Sequence, residues 1–165
     1  MLTNKLTIFF FLSLIICSSS TSAQSVSVTQ LEATFLRDDI GLLNREQQQE
    51  ITGLLTEHNK KFPGRIYLDL LHKLPDGKTI QQYAYDRLNE QPRMPDEKAD
   101  KILIVVAISD KAVRIETSRD VWQVLSDDYC RQVNREIMIP KFKLGEYFAG
   151  IKSGIEALIN KLEKP

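Results

Sequence analysis

The densest apolar run in the chain is Ile102, Leu103, Ile104, Val105, Val106 and Ala107, bounded on both sides by charged residues. A continuous β-branched and aliphatic run of this kind is the pattern of a strand buried on both faces of a helix-covered sheet. After a break at Ser109, Asp110 and Lys111, the segment from Ala112 to Thr117 alternates Val113, Ile115 and Thr117 with Arg114 and Glu116. That period of two predicts an antiparallel partner with one solvated face, joined in a β-hairpin that turns at Asp110 and Lys111. Upstream, Arg65 to Leu71 places Ile66, Leu68 and Leu70 on one side of a further strand and Tyr67, Asp69 and Leu71 on the other. Asp69 is the odd residue, because a carboxylate facing a core is costly unless paired; a solvated edge is the expected place for it.

Helical periods fill the gaps between these strands. Asn44 with Gln47 has the spacing of a capping box, and Leu42, Leu43, Ile51, Leu54 and Leu55 form an apolar stripe, so a first helix is expected to end between Asn59 and Phe62, before a Pro63-Gly64 turn. Thr79 with Gln82 repeats the capping box after a Pro75-Asp76-Gly77 turn and opens a helix through Tyr83, Ala84 and Leu88. Ser126 is placed to cap a helix that runs through Val133 and Ile137 and stops before Pro140. Leu144, Tyr147, Phe148, Ile151, Ile155, Leu158, Ile159 and Leu162 recur at three and four residues, predicting a last helix whose apolar face packs on the core. The fold class is therefore α/β: a small mixed sheet, a βαβ unit plus an antiparallel hairpin, sandwiched by helices.

The beginning of the chain carries a different signal. Lys5 precedes an apolar run from Leu6 to Cys17, followed by the small residues Ser18 to Ala23, the layout of a secretory signal peptide over residues 1–23. The run is too short for a membrane span, and a lipoprotein signal ending at Cys17 is disfavoured by the bulky Ile16 before it. Residues 24–30 are polar and read as a flexible leader, leaving 31–165 as one domain. An exported, periplasmic or secreted, protein is expected, with no transmembrane helix in the mature chain. Cleavage after Ala23 removes one basic residue, Lys5, from 22 Lys and Arg and none from 22 Asp and Glu, so the mature chain carries a net charge of −1. That balance lacks the basic footprint of a nucleic-acid binder. Cys130 is left alone, so packing and not an internal disulfide must hold the domain.

Several phrases, taken in order, resemble the TPM domain, a family named for a thylakoid lumen protein, a photosystem II repair protein and a modulator of a nicotinic receptor. They are DDIGLL at Asp38 to Leu43, ILIVVAISDKAVRIE at Ile102 to Glu116, VLSDDYC at Val124 to Cys130 and IPKFKLGEYFAGI at Ile139 to Ile151. The resemblance implies an exported α/β sandwich, with divalent-metal binding in some members and acid phosphatase activity in a few. Asp38 and Asp127 fall on the family's acidic positions. Where the family has Asn-Gly before the central strand, this chain has Asp100-Lys101; where it has a glycine-rich turn after the hairpin, this chain has Ser118, Arg119, Asp120, Val121, Trp122 and Gln123. Losing those glycines alters the backbone any phosphate cradle would need.

Hairpin register brings Asp100 close to Asp120, with Asp127 shortly after at a helix start. Converging carboxylates repel unless protonated or bridged, and hard oxygen ligands suit Ca²⁺ or Mg²⁺, which makes Asp38, Asp100, Asp120 and Asp127 the candidate metal ligands. Against that stands the ordinary preference of Asp38, Asp39, Asp127 and Asp128 for turns and helix N-termini. Arg119 and Trp122 are candidate binding residues in the substituted turn; for Trp122 and Tyr129 core packing stays open. No catalytic residue stands out. Cys130 and Arg135 are one residue short of a Cys-x5-Arg phosphate loop, and no Walker loop, His-Glu-x-x-His or Gly-x-Ser-x-Gly elbow occurs. His58 and His72 are expected at the surface. Two functions follow: a non-catalytic binding or assembly module for another exported or envelope protein, or a metal-dependent acid phosphatase-like hydrolase of phosphomonoesters.

Overall fold

Four strands, β1 (Leu36–Asp38), β2 (Arg65–Leu71), β3 (Lys101–Ala107) and β4 (Ala112–Thr117), form one sheet in the order β1-β2-β3-β4. The computed structural model describes residues 35–62, 65–91 and 100–164. The expected signal peptide and leader, the Pro63-Gly64 turn and most of the connection between Asn89 and Asp100 lie outside the described residues. β1, β2 and β3 run parallel, and β4 returns antiparallel to β3. The expected βαβ unit and hairpin are both present, and β1 adds a short parallel edge that its three residues had given no period to reveal.

Helix α1 (Arg45–Lys61) and helix α2 (Ile80–Glu90) each start on the capping box read from the sequence: Asn44 and Thr79 accept from the backbone of Gln47 and Gln82, whose side chains reach back to the cap N–H groups. Gly77 turns the chain before α2 at φ 79°, and Lys111 turns the hairpin at φ 49°. After β4 comes a 3₁₀ turn, Arg119–Gln123, and then α3 (Asp127–Gln132), capped by Ser126.

The helix after Ser126 does not stop before Pro140. α3 widens into a π-helical segment, Val133–Met138, and continues as α4 (Ile139–Lys143). Pro140 has no N–H to donate and clashes with a regular preceding turn. The wide turn, closed by the bond from Ile139 N–H to the Asn134 carbonyl five residues back, lets the chain pass through the proline without ending.

Helix α5 (Tyr147–Glu163) completes the fold and buries Ile151, Ile155, Leu158 and Ile159, the core-facing stripe expected of it. Leu144 does not belong to that stripe. It precedes a Gly145 turn at φ 78° and is 75% exposed.

The sheet's two faces differ in cover. Ile66, Leu68, Leu70, Ile102, Ile104 and Val106 are fully or almost fully buried, in a core shared with residues of α1, α5 and the π segment. Tyr67, Asp69, Leu103 and Val105 alternate with them, on the face that holds α2. Gly154 makes the aliphatic side tight, since a Cβ there would stand 2.7 Å from the Met138 sulfur.

Candidate functional site

Asp69 is buried, only 2% exposed, and not at a solvated edge. Its Oδ2 accepts from Arg87 Nε at 2.9 Å and from the Tyr83 hydroxyl at 3.3 Å, both on α2. A buried carboxylate needs such donors, and the helix supplies them one turn apart. Burial, with the Asp69 charge second, pushes the Tyr83 phenol above its ordinary range. Arg87 also binds Glu90 at 2.8 Å. This cluster ties α2 to the middle of the sheet. His58 is likewise buried, 2% exposed, and stacks on Phe62 with ring centroids 5.1 Å apart, so it is a core residue and not a surface one. His72 is exposed as expected, 3.2 Å from the Ser109 hydroxyl across the loops at the hairpin end; nothing in the spacing of the two residues pointed to this pair.

Asp38 and Asp100 stand at opposite ends of the sheet. Asp38 closes β1 and sits level with Leu70, whereas Asp100 precedes Lys101 at the start of β3. With about 3.3 Å per residue along a strand, the two stand on the order of 20 Å apart. Asp38 and Asp100 therefore do not share an ion. The Asp38 carboxylate folds the loop into α1: Oδ1 accepts from Leu42 N at 3.0 Å, and Oδ2 from Leu43 N at 3.0 Å and Gln48 Nε2 at 3.3 Å.

Asp100 and Asp120 do come together. Lys101 N–H donates to the Ser118 hydroxyl at 2.9 Å and Ser118 N–H to the Lys101 carbonyl at 2.8 Å, which clamps the end of the hairpin. Partial burial, and then the Asp120 charge, hold the Asp100 carboxyl above its ordinary range. Asp127 opens α3 in an exposed position, 4.0 Å from Arg131. Among the described residues no group of three or more His, Cys, Asp or Glu side chains is placed to hold a metal ion.

The substituted turn is well ordered by its own bonds. Val121 N–H donates to the Ser118 carbonyl, and Val124 and Leu125 N–H both donate to the Val121 carbonyl, while Val121 itself is buried. The anchored turn holds Arg119 and Trp122 outward, Trp122 at 54% exposure. Tyr129 instead leans on α5, its hydroxyl donating to the Ala157 carbonyl at 3.0 Å. Cys130 is buried, and that burial pushes its thiol up to about 11, so at neutral pH it is an inert core residue.

A four-stranded mixed sheet between helices, carrying an acidic pair and an exposed tryptophan at one end, defines a small α/β domain. The TPM domain model matches residues 36–161, and the chain belongs to that family. The fold is similar to the solution structure of the N-terminal domain of a protein from P. gingivalis, with a TM-score of 0.65 at 20% identity over 82% of this chain and 85% of that one. It is also similar to the NMR structure of BA42 protein from the psychrophilic bacterium Bizionia argentinensis, with a TM-score of 0.63 at 24% identity over 74% of this chain and 82% of that one. A search of curated proteins finds no match. No helix among the described residues is long and apolar enough to cross a membrane.

Proposed function

We propose that this TPM domain is an exported binding module that docks another exported or envelope protein through the Arg119 to Trp122 turn, with the Asp100–Asp120 pair beside it. The observation that carries this reading is a half-exposed Trp122 on a turn pinned by its own backbone bonds, next to an exposed Arg119. Tryptophan and arginine are the residue types that dominate binding energy in protein interfaces, and a rigid turn loses little entropy when it docks. The raised carboxyl of Asp100 supports a second part of the proposal, that Ca²⁺ or Mg²⁺ from solution relieves the repulsion between Asp100 and Asp120. The cation would set the shape of the docking end and takes no part in a reaction.

The test is a photocrosslinking residue placed at Gln123, with Glu57 on α1 as the control position, in cells that export the chain. A discrete protein adduct from position 123 that disappears on Trp122→Ala is expected. Hydrolysis of a phosphomonoester by the purified protein, lost on Asp120→Asn, would replace this reading with the hydrolase one. A calcium and magnesium titration followed by backbone amide shifts tests the cation: saturable shifts at Asp100 and Asp120 are expected, and their absence at millimolar metal removes it.

A further inference from the structure

At the opposite end of the sheet, the hairpin turn and the α4–α5 corner enclose a cleft of about 380 Å³. Its floor and walls are apolar, with Val106, Val113, Ile139, Phe142 and Tyr147 among them, and among the described residues Lys111 and Lys143 are the only charged ones lining it. The two lysines come from separate elements, the hairpin turn and the last turn of α4, and both are exposed. Neither makes an ion pair or side-chain hydrogen bond among the described residues. Lys60, Lys161 and Lys164 are likewise without a partner among the described residues, so what sets Lys111 and Lys143 apart is that both line one apolar cleft.

The cleft is a built feature of the fold. Lys111 occupies the left-handed region, which a non-glycine residue enters only where the turn demands it. Phe142 and Tyr147 lie with ring centroids 5.3 Å apart, brought together by the Gly145 turn between them. Phe142 approaches α5 closely because residue 150 is glycine; a Cβ there would stand 2.5 Å from the Phe142 ring. The aromatic wall is thus set by backbone features at Gly145 and Gly150.

From these features we infer that the cleft binds a medium-chain acyl carboxylate, its hydrocarbon chain on Val113, Phe142 and Tyr147 and its carboxylate between Lys111 and Lys143. The volume lies at the lower end of small-molecule pockets, about 300–1,000 Å³, which suits a short chain. Ammonium groups from two separate elements can each pair with one oxygen of a carboxylate, and the hydrocarbon chain is driven into the cleft by burial of its methylenes. This inference is independent of the docking turn, which lies at the other end of β3.

The experiment is a titration of the purified protein with octanoate, kept below its self-association concentration, followed by backbone amide shifts. Saturable shifts confined to Val113, Phe142, Tyr147 and their neighbours are expected. Octylammonium, which has the same chain with the opposite charge, should bind at least tenfold more weakly. In the doubly substituted Lys111→Gln, Lys143→Gln protein, octanoate should weaken at least tenfold while neutral octanol is unchanged. Equal binding of octanoate and octylammonium, or shifts elsewhere only, would overturn the site, and tighter binding of benzoate would overturn the acyl assignment. The ligand comparison in the unsubstituted protein decides the matter even if the double variant folds poorly.

Discussion

The two faces of the sheet solve the same burial problem by different means. The middle of the face under α1 and α5 is aliphatic, and it is close-packed to the point that Gly154 leaves no space for a methyl group beside Met138. The face under α2 is covered, among the described residues, by that one helix and carries a buried carboxylate, Asp69, held by Arg87 and Tyr83. Aliphatic contact is non-directional and sets how strongly helices adhere; the ion pair is directional and sets where one helix sits along the strands. A lone helix has no neighbouring helix to fix its position, so the directional contact falls where positional information is scarce.

Breaking the ion pair from one side tests that contrast most severely. Asp69→Ala leaves Arg87 with only the exposed Glu90 as a partner and is expected to cost about 3 kcal/mol in urea unfolding. Replacing both partners by apolar residues, Asp69→Leu with Arg87→Met, should recover most of that loss, because the penalty comes from the orphaned charge. Full loss in the double variant would show that the pair contributes net stability. On the other face, Gly154→Ala should cost about 1–3 kcal/mol through overpacking, and shortening the neighbour with Met138→Val should return part of it. Tyr83→Phe removes one donor of two from Asp69 and is expected to cost about 1 kcal/mol.

The smallest expected effect is a pH slope. Asp100 holds its proton more tightly in the folded protein than in the unfolded chain, since burial and then Asp120 disfavour its charge. Across the carboxylate range the folded state therefore holds more protons than the unfolded chain, and the stability this group contributes is lost as pH rises through that window. Asp100→Asn should flatten the fall and leave the protein slightly more stable at neutral pH. An unchanged slope in urea unfolding between acidic and neutral pH would show that the two carboxylates do not interact.

Strong periods made most of the frame legible. The run at Ile102 to Ala107, the alternation at Ala112 to Thr117 and the two capping boxes each carry their signal within a few residues, and all stand where they were expected. What depended on distant partners was not legible. Asp69 was misplaced because Tyr83 and Arg87 meet it only once α2 crosses back over the sheet, and His58 because its burial comes from packing beyond its own helix. Asp38 was grouped with Asp100 because nothing local shows that β1 joins the sheet at the far edge. The Asp100–Asp120 approach was legible, since hairpin register is a local property. Lys111 and Lys143 come to line one cleft only through the α4–α5 corner, which no local pattern announces.

The wide turn at Val133–Met138 also sets a phase. Each helical residue rotates its side chain by about 100° around the axis, so a turn with roughly one residue too many advances everything after it by about that angle. Ile139 and Phe142 therefore face the hairpin, where an uninterrupted helix from Ser126 would have aimed other residues. A chain one residue shorter between Val133 and Met138 would keep the order of apolar residues after it, yet it would point them about a quarter-turn away from the sheet.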